Sequence, residues 1–127
     1  MIQIFNAHFF TFATQNQLSQ RKTMSMIIYN VTVKIDNNVR EEWLNWMKTV
    51  HIPDVLNTGY FQDHQIARVL GQDDSEATTY AVQYTCPDMK TLQEYSAKAA
   101  PALQRQTLER YPNGQLVAFR TLLEVVG

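Results

Sequence analysis

Four side chains of this 127-residue sequence offer the most chemistry: His51, His64, Arg120 and Cys86. His51 directly precedes Ile52-Pro53 at the end of a helical pattern. An imidazole there can accept a proton or serve as an axial ligand. A charged histidine closing a helix is also favoured by the helix dipole, and that structural role is the expectation. His64 falls in a strand pattern on the same side as Gln62, Ile66 and Arg68. Such a polar cluster can line a ligand pocket, but cross-strand or interface pairing is expected. Arg120 interrupts the apolar run AFRTLLEVV and needs a partner there. An acid within the chain or across a dimer is expected; a ligand carboxylate is the alternative. Cys86 precedes Pro87 with no activating motif beside it, so it reads as an inert, partly buried thiol.

The aromatic residues form two groups. Trp43, Trp46 and Met47 lie near one helical stripe. Such a stripe packs a core far more often than it walls a pocket for a flat ligand, and packing is expected. Tyr80 and Tyr84 share one face of a strand. Bases of a single-stranded nucleic acid stack on aromatics placed this way, but that needs a basic surface, and none adjoins them. The cluster Asp73-Asp74-Ser75-Glu76 is too short for a calcium loop and reads as a solvated turn. Neither paired metal-ligand motifs nor a dinucleotide fingerprint is present. With four glycines in the chain, a phosphate-cradling loop is close to excluded. The sequence therefore implies no cofactor and no metal.

These residues must be positioned by a single domain, since the chain has the length of one. Apolar residues make up 45% and charged residues 18%, which is ordinary globular composition. A domain of this size buries about two-thirds of its unfolded surface. One cysteine cannot form an internal disulfide, so nothing points to an oxidising compartment. Residues 26–127 carry nine bases against all 12 acids. A weakly acidic body argues against a phosphate-tracking, nucleic-acid-binding surface. No apolar run approaches the roughly 18 residues of a membrane span.

Periodicity then orders the elements. Met26–Ile35 alternates, with Ile27, Tyr29, Val31, Val33 and Ile35 on one face, and predicts a half-buried strand. Asn38 with Glu41 reads as a capping box, and Val39, Trp43, Trp46, Met47 and Val50 recur at helical spacing. Pro53 must interrupt or restart that helix near His51–Ile52, and Asn57-Thr58-Gly59 stops it. Tyr60–Leu70 and Glu76–Cys86 read as an antiparallel hairpin around a turn at Gly71–Ser75. Cys86-Pro87-Asp88 opens a second helix with Pro87 in its first turn, and Pro101 kinks or splits it. Tyr111-Pro-Asn-Gly114 is a turn, and Gln115–Val125 is the last strand. The order βαββαβ predicts an α+β, ferredoxin-like sandwich, a four-stranded antiparallel sheet with two helices on one face.

Two helices leave the other sheet face open. That face carries Ile28, Asn30 and Thr32 in the first strand, and neither side of the last strand is solvent-like. Burying it against a second copy predicts a homodimer through the open sheet face. The runs MIIYNVTVKID, EEWLNWMKTVHIPDVLNTGYF and AFRTLLEVV resemble the small bacterial family called domain of unknown function 4286, over roughly residues 24–126. That resemblance implies a dimeric α+β barrel and no assigned activity. In barrels of that kind which bind haem or oxidise small aromatics, a pocket lies between helix and sheet and a histidine can line it.

Residues 1–25 have another character, with Arg21 and Lys22 as their only charges. Their apolar patch precedes the basic residues, the wrong order for a secretory signal. They read as an extension, poorly ordered or upstream of a natural start at Met24 or Met26 rather than Met1, leaving residues 26–127 as the domain. The expected protein is a cytoplasmic homodimer that binds a small molecule, or acts as an accessory, without catalysing a reaction. One alternative is a cofactor-independent oxygenase or isomerase, or a haem-binding variant. Its residues would come from His51, His64, Trp46, Tyr84 and Arg120, a histidine serving as base and an aromatic as pocket wall. The other alternative is a structural, partner-docking protein.

Overall fold

The computed structural model describes residues 25–127. Strand β1 (Ile27–Asp36) pairs antiparallel with both β3 (Ala77–Cys86) and β4 (Leu116–Glu124), and β2 (Asp63–Arg68) pairs antiparallel with β3. The sheet order is β2-β3-β1-β4, so the first and third strands occupy the centre and the architecture is ferredoxin-like. The expectation 1–25 for an extension falls almost wholly outside the described residues.

Alternation decides which face meets the helices. Ile27, Tyr29, Val33 and Ile35 of β1 are buried, as are their β3 partners Cys86, Tyr84, Tyr80 and the residue Thr78. Against this face pack α1 (Arg40–Trp46), α2 (Ile52–Asn57), α3 (Met89–Lys98) and α4 (Ala100–Arg110), through Trp43, Val55, Tyr95 and Leu103 among others. Trp43 is 1% exposed and anchors the first helical layer on Tyr80, at 5.3 Å between ring centroids.

Each expected helix is divided, and each division falls at a proline. A π turn over Met47–His51 joins α1 to α2, with Pro53 in the first turn of α2. Ala99 separates α3 from α4, and Pro101 sits in the first turn of α4, where its missing donor costs nothing. Pro87 is not helical: Asp88 caps α3, its carboxylate accepting from the Thr91 N–H at 2.8 Å. The Asn38–Glu41 capping box does not form. Asp36 instead accepts from the Asn38 N–H at 2.8 Å, and Val39 precedes the helix without a side-chain cap. Strand β2 is shorter than Tyr60–Leu70: Gly59 turns the chain at φ 84°, and the ladder covers Asp63–Arg68, with the Gln62 and Val69 N–H groups donating to the Thr85 and Thr79 carbonyls at its two ends.

Candidate functional site

Between the helical layer and the sheet lies a cavity of about 170 Å³. Its floor is Tyr29, Val31 and Val33 of β1, Val82 and Tyr84 of β3, and Leu116 and Arg120 of β4. Trp43, Met47, His51 and Val55 form one side of its roof, four residues apart along the chain. In an uninterrupted α-helix a four-residue spacing drifts around the axis by about 40° per step. The π turn reverses that drift. The Ile52 N–H donates to the Met47 carbonyl, five residues back, so one extra residue is accommodated and His51 and Val55 remain on the cavity side. The same wide turn accommodates Pro53, which has no amide hydrogen to continue an α-helical ladder.

His51 is therefore not at a helix end, as the sequence suggested; the chain stays helical through Asn57. Burial holds its pKa below the usual 6.5, the nearby Arg120 charge pushes the same way, and Asp54 opposes them. The imidazole is neutral at pH 7, and its Nδ1 is buried with no hydrogen-bond partner. Its ring stacks on Trp46, centroids 4.9 Å apart.

Tyr84 is 2% exposed, and its hydroxyl also lacks a partner. Burial raises its pKa and that of Tyr95, so both stay protonated. The Arg120 Nε–H donates to the Tyr29 hydroxyl at 2.8 Å. The expected ion pair of Arg120 with an acid of its own chain is absent among the described residues. Register places Arg120 opposite Val31 on the helix-facing side of β4, where no carboxylate of the described residues lines the cavity.

Of the five candidates, the fold thus brings His51, Tyr84 and Arg120 together. Trp46 lies behind His51 and walls an outer groove, with the Arg110 guanidinium 5.2 Å from its ring centroid. His64 does not join them. It pairs in register with Tyr84 but sits exposed on edge strand β2. Tyr80 and Tyr84 are buried against the helices, so no base could stack on them. Cys86 is buried, and its thiol is pushed up to about 11. Sequence reasoning missed Tyr29, Tyr95 and Gln104 as wall residues. Only the four-residue stripe from Trp43 to Val55 carried a signal, and it reads as core. No group of three potential metal ligands occurs among the described residues, and none of their helices is long and apolar enough to cross a membrane.

A ferredoxin-like sheet with a small aromatic cavity under its helices defines the class of domain. The family model described as domain of unknown function (DUF4286) matches residues 26–126, and the chain belongs to that family. No curated protein matches. Among solved structures, a Bacteroides thetaiotaomicron protein of unknown function, described as a possible oxidoreductase, is 16% identical with a TM-score of 0.57. That match covers 80% of this chain and 99% of the other. A dimeric ferredoxin-like protein from an uncultured marine organism is 14% identical (TM-score 0.55, covering 81% and 97%). An ethyl tert-butyl ether d (ethd) family protein from Bacillus halodurans is 12% identical (TM-score 0.58, covering 79% and 99%). At these identities the likeness is one of fold.

Proposed function

We propose that this protein binds one small, ring-bearing ligand in the cavity beneath its helices. The Tyr84 hydroxyl carries the reading: it is buried on the cavity wall without a partner. Leaving such a group unsatisfied costs about 1–3 kcal/mol, which a ligand atom accepting or donating there restores. The cavity's size agrees, since a void of about 150 Å³ admits a benzene-sized ring. A porphyrin needs several times that room, so the haem-binding alternative gains no support. Titration with phenol, followed by heteronuclear NMR, tests the proposal. Saturable shifts at Val82 and Leu103, abolished by filling the space with Leu103→Trp, are expected. Shifts that do not saturate, or that scatter over the surface, overturn it.

The same protein is read as a homodimer through its open sheet face. Val117 and Phe119, 61% and 51% exposed, lie there beside Thr32 and Lys34 in register. On the same face Asn30 buries an unpartnered Oδ1. A second copy would cover the apolar side, and one solved relative is described as dimeric. A free, buried Cys86 suits a reducing compartment and a cytoplasmic location.

A catalytic reading has one observation in its favour. A neutral His51 can take a proton from a bound carbon acid, and Arg120 on the same wall can stabilise the resulting oxyanion. The cofactor-independent isomerase or oxygenase type fits that pair. Turnover of any ring substrate that survives His51→Ala unchanged removes it.

A further inference from the structure

We infer that the cavity's occupant is a small ring monocarboxylate whose carboxylate sits on Arg120. The inference rests on the cavity being the binding site, and it fixes the charge and shape of what enters.

Charge is the first argument. Among the described residues, Arg120 is the sole ionised side chain on the cavity wall, and no aspartate or glutamate lines it. His51 is neutral there, and Tyr84 and Tyr95 keep their protons. Asp54 acts on His51 from the outer groove and does not line the cavity. The wall therefore carries one positive charge with no counter-charge of its own. A half-buried guanidinium in that state is matched by a monoanion.

Geometry is the second. Nε–H of Arg120 is committed to the Tyr29 hydroxyl, which fixes the plane of the guanidinium. Its terminal nitrogens make no hydrogen bond or ion pair among the described residues. A planar fork with its outer edge free matches the two oxygens of a carboxylate. The unpartnered Tyr84 hydroxyl is a further donor on the same wall. A phosphate dianion would need more positive charge, or a cradle of backbone N–H groups, and the wall has neither.

Room and access are the third. About 170 Å³ between Tyr29, Trp43, Val82 and Tyr95 holds a single ring and little more. Leu108 lines the cavity yet is 66% exposed, so the space opens to solvent beside α4, where an anion can enter.

The experiment is a calorimetric titration of the full-length protein with benzoate and with its neutral isostere benzamide. Benzoate is expected to bind about tenfold more tightly, the gain of one charge-assisted pair. Arg120→Gln should remove the preference for benzoate over benzamide, and Arg120→Lys should keep part of it. Equal binding to the wild-type protein overturns the inference and leaves the cavity reading standing, as does a preference that survives Arg120→Gln. If neither probe nor phenol enters, the cavity reading itself fails, and this inference with it.

Discussion

Tyr29 and Arg120 lie 91 positions apart in sequence, and their side chains meet at 2.8 Å beneath the helices. The tyrosine belongs to the central strand and the arginine to its neighbour at the sheet edge. The contact therefore fixes a guanidinium against the most rigid part of the fold. It also explains why a charged residue is tolerated in the run AFRTLLEVV: the aliphatic stem lies among apolar neighbours while the head meets a hydroxyl and open space.

Acid should destabilise the fold through His51. Its folded-state pKa is lowered, chiefly by burial, with Arg120 adding and Asp54 opposing. Below the unfolded value of 6.5 the unfolded chain binds the proton more readily, so stability falls as pH drops through and below that point. Urea unfolding at pH 5 and pH 7.5 should give a smaller difference in His51→Gln than in the wild-type protein. Equal differences would show that His51 is not responsible.

Tyr84→Phe should leave the empty protein as stable as before or raise its stability by about 1 kcal/mol, because it removes an unsatisfied buried hydroxyl. The same change should weaken phenol binding. A loss of more than about 2 kcal/mol in denaturant would mean the hydroxyl has a partner in solution.

Phe119→Glu should produce a monomer. It places a charge on the half-exposed apolar side of the open sheet face and touches nothing in the cavity. Sedimentation velocity distinguishes the outcomes: a wild-type dimer and a variant monomer are expected. A wild-type monomer at micromolar concentration would show that the face is not self-complementary.

Cys86 should be inert toward thiol reagents until the protein unfolds. Burial pushes its thiol up to about 11, leaving almost no thiolate at neutral pH. Labelling with a chromogenic disulfide should therefore track urea unfolding. Rapid labelling in native buffer would reveal an opening of β3 at its end.

The strands were legible because alternation is a local property. Ile27, Tyr29, Val33 and Ile35 announce their face without reference to any other element. Turn chemistry at Asn57-Thr58-Gly59 and Pro112-Asn-Gly114 likewise depends on a few adjacent residues, and both glycines adopt positive φ. Helix starts were less legible, because Asn38 has the type of a cap, yet the backbone path hands its N–H to Asp36 and starts the helix after Val39 with no side-chain cap. The cavity was the least legible. Tyr29, Trp43 and Tyr95 have the types and spacing of ordinary core, and an unfilled volume is what remains after three separate elements have packed. Arg120 could be marked as anomalous, but its partner could not be named. For His64 the sequence favoured cross-strand or interface pairing over a pocket, and it sits exposed on edge strand β2; polar strands look alike, whether they border a site or a sheet edge, so the pocket alternative stayed open.

The wide turn at Met47–His51 has a consequence for how such a site can change over time. The wide turn absorbs one surplus residue and so keeps the two helical segments it joins in phase. Removing one residue between Met47 and His51 would let a plain α-helix run through, with Trp43, Met47, His51 and Val55 then spaced by four, three and four and still on one face. Substitutions at the wall adjust what the cavity holds, one side chain at a time. A one-residue change in chain length at this turn is absorbed by the exchange of a wide turn for a plain one, so the lining set survives it and the tolerance to length resides in the backbone, not in the wall.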